Sequence, residues 1–116
     1  MDIDNLKNAL TSRMYAYKGM ENAITGKLLS ANLGVNIRTI QVAVEELRAE
    51  GHPICSNDNG LKGAMGYFIP ATRAEADTFF QSAKARAKKT FISVANVAKA
   101  LNAKFGVDEY QMELTL

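Results

Sequence analysis

Four hydrogen-bonding side chains of different types cluster in the stretch LGVNIRTIQ, residues 33–41: Asn36, Arg38, Thr39 and Gln41. Arginine offers a planar fork of donors, and Asn and Gln carry a donor and an acceptor side by side. Such groups recognise flat, hydrogen-bonding edges; they do not break bonds. Apolar Ile40, Ala43, Val44 and Leu47 recur at helical spacing in the same stretch, forming a single stripe. Asn36 then caps a helix, and Arg38, Thr39 and Gln41 lie on the outward side of its N-terminal end. Covalent chemistry has no comparable constellation. His52 is the one histidine and Cys55 the one cysteine, so there is no His–Cys pair and no metal-ligand cluster. His52, before Pro53, reads as a structural residue at a helix end, and Cys55 as a half-buried strand residue. Gly60, Gly63 and Gly66 are spaced as turn residues, not as a nucleotide-binding fingerprint. The chain is expected not to be an enzyme and to need no cofactor or metal.

Composition sets the frame. The 116 residues suit one domain with an appendage, and a hydrophobic fraction of 47% is enough for a core. No run of about 18 apolar residues is present, so no membrane span is expected. The start, MDIDNLKNAL, has no signal-peptide pattern, and a single cysteine fits a reducing cytoplasm. The net charge of +2 is unevenly divided. From Lys18 to Thr72 basic and acidic residues cancel. From Arg73 to Phe105 seven basic residues face Glu75 and Asp77, and the tail from Gly106 carries Asp108, Glu109 and Glu113. The basic segment can face phosphate or anionic lipid, or be a solvated helix face.

These residues must be positioned by the elements around them. Asp4 is expected to cap a first helix with Ile3, Leu6, Ala9, Leu10 and Met14 at helical spacing, closed by Lys18-Gly19. Thr25 caps a second, with Leu28, Leu29 and Leu33 apolar and Gly34 ending it. Asn36 caps the third, which Gly51 and His52-Pro53 terminate. The period then changes: Ile54-Cys55-Ser56 and Gly66–Ile69 read as two strands of a hairpin, with Asn59-Gly60 a turn dipeptide between them. Of Tyr67 and Phe68, one is expected in the core. Thr72 with Glu75 forms a capping box for a helix running to about Phe105. Its apolar residues Ala76, Phe80, Ala83, Ala87, Phe91, Val94, Ala98, Leu101 and Phe105 approach a heptad seam, with Ile92 and Val97 widening it. At 1.5 Å per residue this helix spans about 45–50 Å, longer than a small head needs. Self-association through Phe80, Ala83, Ala87, Phe91, Val94, Ala98 and Leu101 is the preferred outlet for the seam. Folding back onto the head, with a break near Lys88-Lys89, is the alternative.

The expected fold is therefore mainly α with a small β-hairpin. The head spans 1–71, a long dimerisation helix 72–105 and a flexible tail 106–116. The segment ITGKLLSANLGVNIRTIQVAVEELRAEGHPI plus the hairpin resembles the winged helix-turn-helix head of biotin-repressor-type and deoxyribose-repressor-type regulators. It also resembles small phage and prophage helix-turn-helix proteins in which such a head precedes a long helix. The shared features are L-G-V-x-x-R-T-I followed by E-E-L-R-A-E-G-H-P-I. The resemblance implies that Asn36, Arg38, Thr39 and Gln41 enter the major groove of double-stranded DNA. Arg38 would pair with guanine and Gln41 with adenine, Thr25 and Lys27 would contact the backbone, and Lys62 at the wing tip would reach a phosphate or the minor groove. The implied function is that of a cytoplasmic, homodimeric phage or prophage transcriptional regulator reading a specific site. Gln41 and Val42 stand where relatives often carry basic residues.

The last six residues, Gln111 to Leu116, resemble the hexapeptide by which bacterial replication and repair proteins dock on the sliding clamp. Gln111, Met112, Leu114 and Leu116 occupy its positions, with Met112 replacing the usual Leu. That resemblance implies a second reading: a protein-interaction adaptor in phage or plasmid DNA replication, whose tail binds a replication or transcription protein. A terminal strand or a disordered end would give the same pattern.

Overall fold

A computed structural model describes residues 1–57 and 65–112. The expected turn Asn59-Gly60, with Lys62 and Gly63, and the terminal Leu114 and Leu116 lie outside the described residues. The elements in order are α1 (Ile3–Ala16), a 3-10 turn (Met20–Asn22), α2 (Gly26–Leu33), α3 (Ile37–Ala49), β1 (Cys55–Asn57), β2 (Gly66–Phe68) and α4 (Arg73–Phe105). The protein is thus mainly α: three N-terminal helices, a two-stranded antiparallel hairpin and a long C-terminal helix. The three-helix-plus-hairpin arrangement is compatible with a winged-helix head. The chain divides into two compact units, Met1–Phe79 and Phe80–Leu116.

In the first unit the apolar stripes meet as their periods require. Leu6, Leu10 and Met14 of α1, Leu29 of α2, and Ile40, Ala43, Val44 and Leu47 of α3 form one core, joined by Ile24, Ile54 and Ile69. All four expected stripe residues of α3 are buried. The helix starts are fixed by side-chain caps. Thr25 Oγ1 accepts from Leu28 N–H at 3.1 Å, and Asn36 Oδ1 accepts from Thr39 N–H at 2.8 Å. Gly34 closes α2 in the left-handed region at φ +68°, as a residue without Cβ does readily.

Three local expectations are corrected. The cap of α1 is Asp2, whose carboxylate accepts from Asn5 N–H at 2.8 Å; Asp4 lies inside the first turn, near the positive end of the helix dipole. Leu28 faces solvent, because Leu29 and half-buried Leu33 complete the core side of so short a helix. Cys55, expected half-buried, is buried with Met20 and Phe68 in a second small cluster. Burial pushes its thiol pKa up, with Arg48 opposing and Glu75 adding to the rise.

The hairpin pairs Cys55 with Phe68, Ser56 with Tyr67 and Asn57 with Gly66. Its outer edge is also used. Ile24 bridges Tyr67 in antiparallel fashion, with N–H to O distances of 3.0 and 2.8 Å. This single-residue rung ties the start of α2 to the hairpin. It brings the Ile24 backbone against Gly66, where an added Cβ would lie 2.2 Å from the Ile24 carbonyl, at a φ of +115°. Both facts require glycine there.

Helix α4 starts as expected with Thr72 Oγ1 accepting from Glu75 N–H. The reciprocal half of the box differs. One Glu75 oxygen accepts from Ala71 N–H at 2.9 Å and Met20 N–H at 3.3 Å, so it joins the 3-10 turn to the start of α4. Phe79 packs on the Met20, Cys55 and Phe68 cluster, with the Arg48 guanidinium 6.0 Å from its ring centroid.

In the second unit α4 runs without interruption to Phe105; the alternative of a break near Lys88-Lys89 is not realised. After Gly106 the chain returns. Val107 N–H donates to Asn102 O, and the Asn102 side chain donates to and accepts from the backbone of Tyr110 at 2.9 and 3.0 Å. An amide side chain thereby acts as a peptide rung for the tail. Ala98, one turn earlier on the same face, is the buried residue of α4. No helix among the described residues is long and apolar enough to cross a membrane.

Candidate nucleic-acid interface

The turn between α2 and α3 decides where the outward residues point. Only residues 34 to 36 separate the helices. Left-handed Gly34 reverses the chain, and the Ser30 hydroxyl donates to the Val35 carbonyl, bracing the turn from within. Ile40, Val44 and Leu47 then anchor α3 with its N-terminal end free of the core.

At that end Asn36, Arg38 and Gln41 are exposed and Thr39 is half-buried. The cap consumes part of their capacity. Asn36 Oδ1 takes both the amide and the hydroxyl of Thr39, the latter at 2.9 Å. Asn36 and Thr39 therefore hold each other, leaving the Asn36 amide donors and an acceptor lone pair on Thr39. Arg38 forms none of the ion pairs found among the described residues, so its donor fork is uncommitted. By contrast, Lys7 pairs with Glu46 and Glu50, and Arg48 with Glu45.

A cleft of about 220 Å³ lies beside this end of α3. Thr25, Gly26 and Lys27 line it from α2, Ile37 and Gln41 from α3, and Ser56, Asn57 and Met65–Tyr67 from the hairpin. The Ile24–Tyr67 rung holds the hairpin wall in place. Of the expected contact residues, the fold brings Thr25, Lys27 and Gln41 to one cleft and sets Asn36, Arg38 and Thr39 on the adjoining turn of α3. Lys62 lies outside the described residues. Sequence patterns passed over Ile37 and Met65, both exposed and both at the cleft. Ile37 lies three residues before Ile40, at stripe spacing, so the helical period alone does not mark it as exposed.

The seam residues of α4 divide by exposure. Phe80 and Val94 are exposed, as is Ala87; Ala83, Phe91 and Leu101 are half-buried, and Ala98 is buried. Phe80 at 58% and Phe105 at 60% exposure are the extremes, with Ile92 and Val97 exposed between them. In the tail, Gln111 donates to Asp108 O, and Met112 is exposed. His52 shares a hydrogen bond with the Tyr15 hydroxyl at 2.9 Å. Among the described residues no group of His, Cys, Asp and Glu could hold a metal ion. No family model, curated protein or solved structure matches this chain.

Proposed function

We propose that the protein is a homodimeric, sequence-specific double-stranded-DNA-binding protein whose winged helix-turn-helix head places the N-terminal end of α3 in the major groove. One observation carries the reading. The uncommitted Arg38 fork and exposed Gln41 stand at the free end of a helix anchored only from its other face, beside a hairpin braced through Ile24. Arginine and glutamine are the side chains that read guanine and adenine edges bidentately. Thr25 and Lys27 stand where a flanking phosphate would pass. Residues 18 to 72 are formally neutral, so phosphate neutralisation by one head is modest. Two heads joined through the exposed seam of α4 would bind in concert through effective concentration. A role as a phage or prophage transcriptional regulator follows from the family resemblance.

Site selection from random duplexes tests the proposal. Enrichment of a two-fold-symmetric sequence supports a dimer reading two half-sites. Enrichment of no sequence overturns specific recognition.

A second reading has its own observation: exposed Ile37 and Met65 put apolar surface in the same cleft as Thr25, Lys27 and Gln41. An adaptor that docks a protein there, with the tail from Gln111 engaging a sliding clamp, would use that surface. Retention of clamp in a pulldown after deletion of residues 111–116 removes the tail part of this alternative.

A further inference from the structure

Ile37 is the first residue of α3, one position after the cap, and its side chain is 44% exposed. This β-branched apolar residue lies outside the core cluster of the head. Gln41 lies four residues on, one turn along the same face of α3, and both line the cleft between α3 and the hairpin. Met65, also exposed, adds apolar surface on the hairpin side. The cleft thus pairs an amide with apolar surface one turn away, and Lys27 and Thr25 border it.

The chemistry that fits this pairing is an A·T base pair met from the major groove. Adenine presents N7 as acceptor and N6–H as donor, which a glutamine amide matches, while thymine presents a 5-methyl group whose partner must be apolar. We infer that the Ile37–Gln41 face is an A·T-reading element, with Ile37 contacting the thymine methyl and Gln41 the adenine edge. Arg38, projecting at a different angle from the same turn, reads a neighbouring guanine. The half-site then contains an A·T pair beside a G·C pair. A protein partner would also bury Ile37, and its peptide groups would also bond Gln41; what separates the two occupants is the border of the cleft. The bordering Lys27 and Thr25 favour a phosphate-flanked base over an apolar peptide.

This inference rests on the DNA-binding reading, and the experiment separates the two. Starting from the duplex enriched by site selection, each thymine is replaced singly by deoxyuridine, which removes only the methyl. Affinities of wild type, Ile37→Ala and Gln41→Ala are measured by fluorescence anisotropy, with circular dichroism melts as the folding control. In each half-site one thymine is expected at which deoxyuridine weakens wild-type binding about fourfold, the equivalent of ~0.8 kcal/mol for one buried methyl group. Ile37→Ala abolishes that sensitivity, and Gln41→Ala relaxes the preference for adenine at the paired position. Tight, salt-dependent binding with no thymine sensitive to methyl removal overturns the inference while leaving the DNA-binding reading intact. Sensitivity that persists in Ile37→Ala also overturns it. Failure to bind any duplex at low salt overturns the DNA-binding reading itself.

Discussion

The two compact units solve the problem of apolar surface in opposite ways. In Met1–Phe79 the apolar stripes of three helices close on one another and on the hairpin, and among the described residues every buried apolar one except Ala98 belongs to this unit. In Phe80–Leu116 one helix carries Phe80, Ile92, Val94, Val97 and Phe105 exposed, and the tail returns to it through the Asn102–Tyr110 hydrogen bonds. A single helix has no second layer to bury its stripe, whereas three helices and a hairpin do. The same residue type therefore means different things in the two places. Phe68 is a core residue at 1% exposure; Phe80 is surface awaiting a partner, and we propose that the partner is a second copy.

The comparison can be broken at its strongest point first. Phe68→Ala should destabilise the first unit by about 3–5 kcal/mol, the usual cost of emptying a buried aromatic site. Phe80→Ala should leave the urea midpoint nearly unchanged and instead weaken self-association in sedimentation equilibrium. Equal loss of stability in both variants would contradict the contrast. Gly66→Ala comes next. A Cβ 2.2 Å from the Ile24 carbonyl, at positive φ, should cost about 3 kcal/mol or more, because the rung between α2 and the hairpin must open. Gly34→Ala, with open space around it, should cost only about 1 kcal/mol for the left-handed backbone. Denaturation of the two variants side by side separates steric from conformational cost. Asn36→Ala removes a cap and should cost about 1 kcal/mol of folding stability, read from the same curves. Smallest is a reactivity effect. With burial holding its thiol protonated at neutral pH, Cys55 should react with a thiol reagent far more slowly in the native protein than in urea.

Much of the first unit was legible because its signals are local. The Thr25 and Asn36 caps, the Gly34 stop and the stripe from Ile40 to Leu47 each follow from residue type and a 3.6-residue period, and each stands where expected. What escaped depends on tertiary contact. Ile24 forms a one-residue rung, which is too short to show alternation. Phe79 and Phe80 are adjacent and equally apolar, and the seam periodicity selects Phe80. Only the position of the hairpin makes Phe79 the residue that packs on Met20, Cys55 and Phe68. Glu75 sends its carboxylate to Ala71 and Met20, because the 3-10 turn presents an amide 55 positions away in sequence. The returning tail depends on Asn102, an unremarkable helix residue until its amide meets Tyr110. At the candidate interface, the outward polar residues were readable from the stripe they avoid. The apolar wall contributed by Ile37 and Met65 was not, since no local period says how closely the hairpin approaches α3.

The most direct test of the DNA-binding account is a fluorescence anisotropy titration of duplex DNA with wild type and Arg38→Ala over a series of salt concentrations. The account predicts wild-type affinity that falls as salt rises, and a loss of about 1–3 kcal/mol in Arg38→Ala on the selected site but not on random duplex. Absence of binding at low salt, or identical titrations for the two proteins on the selected site, would contradict it.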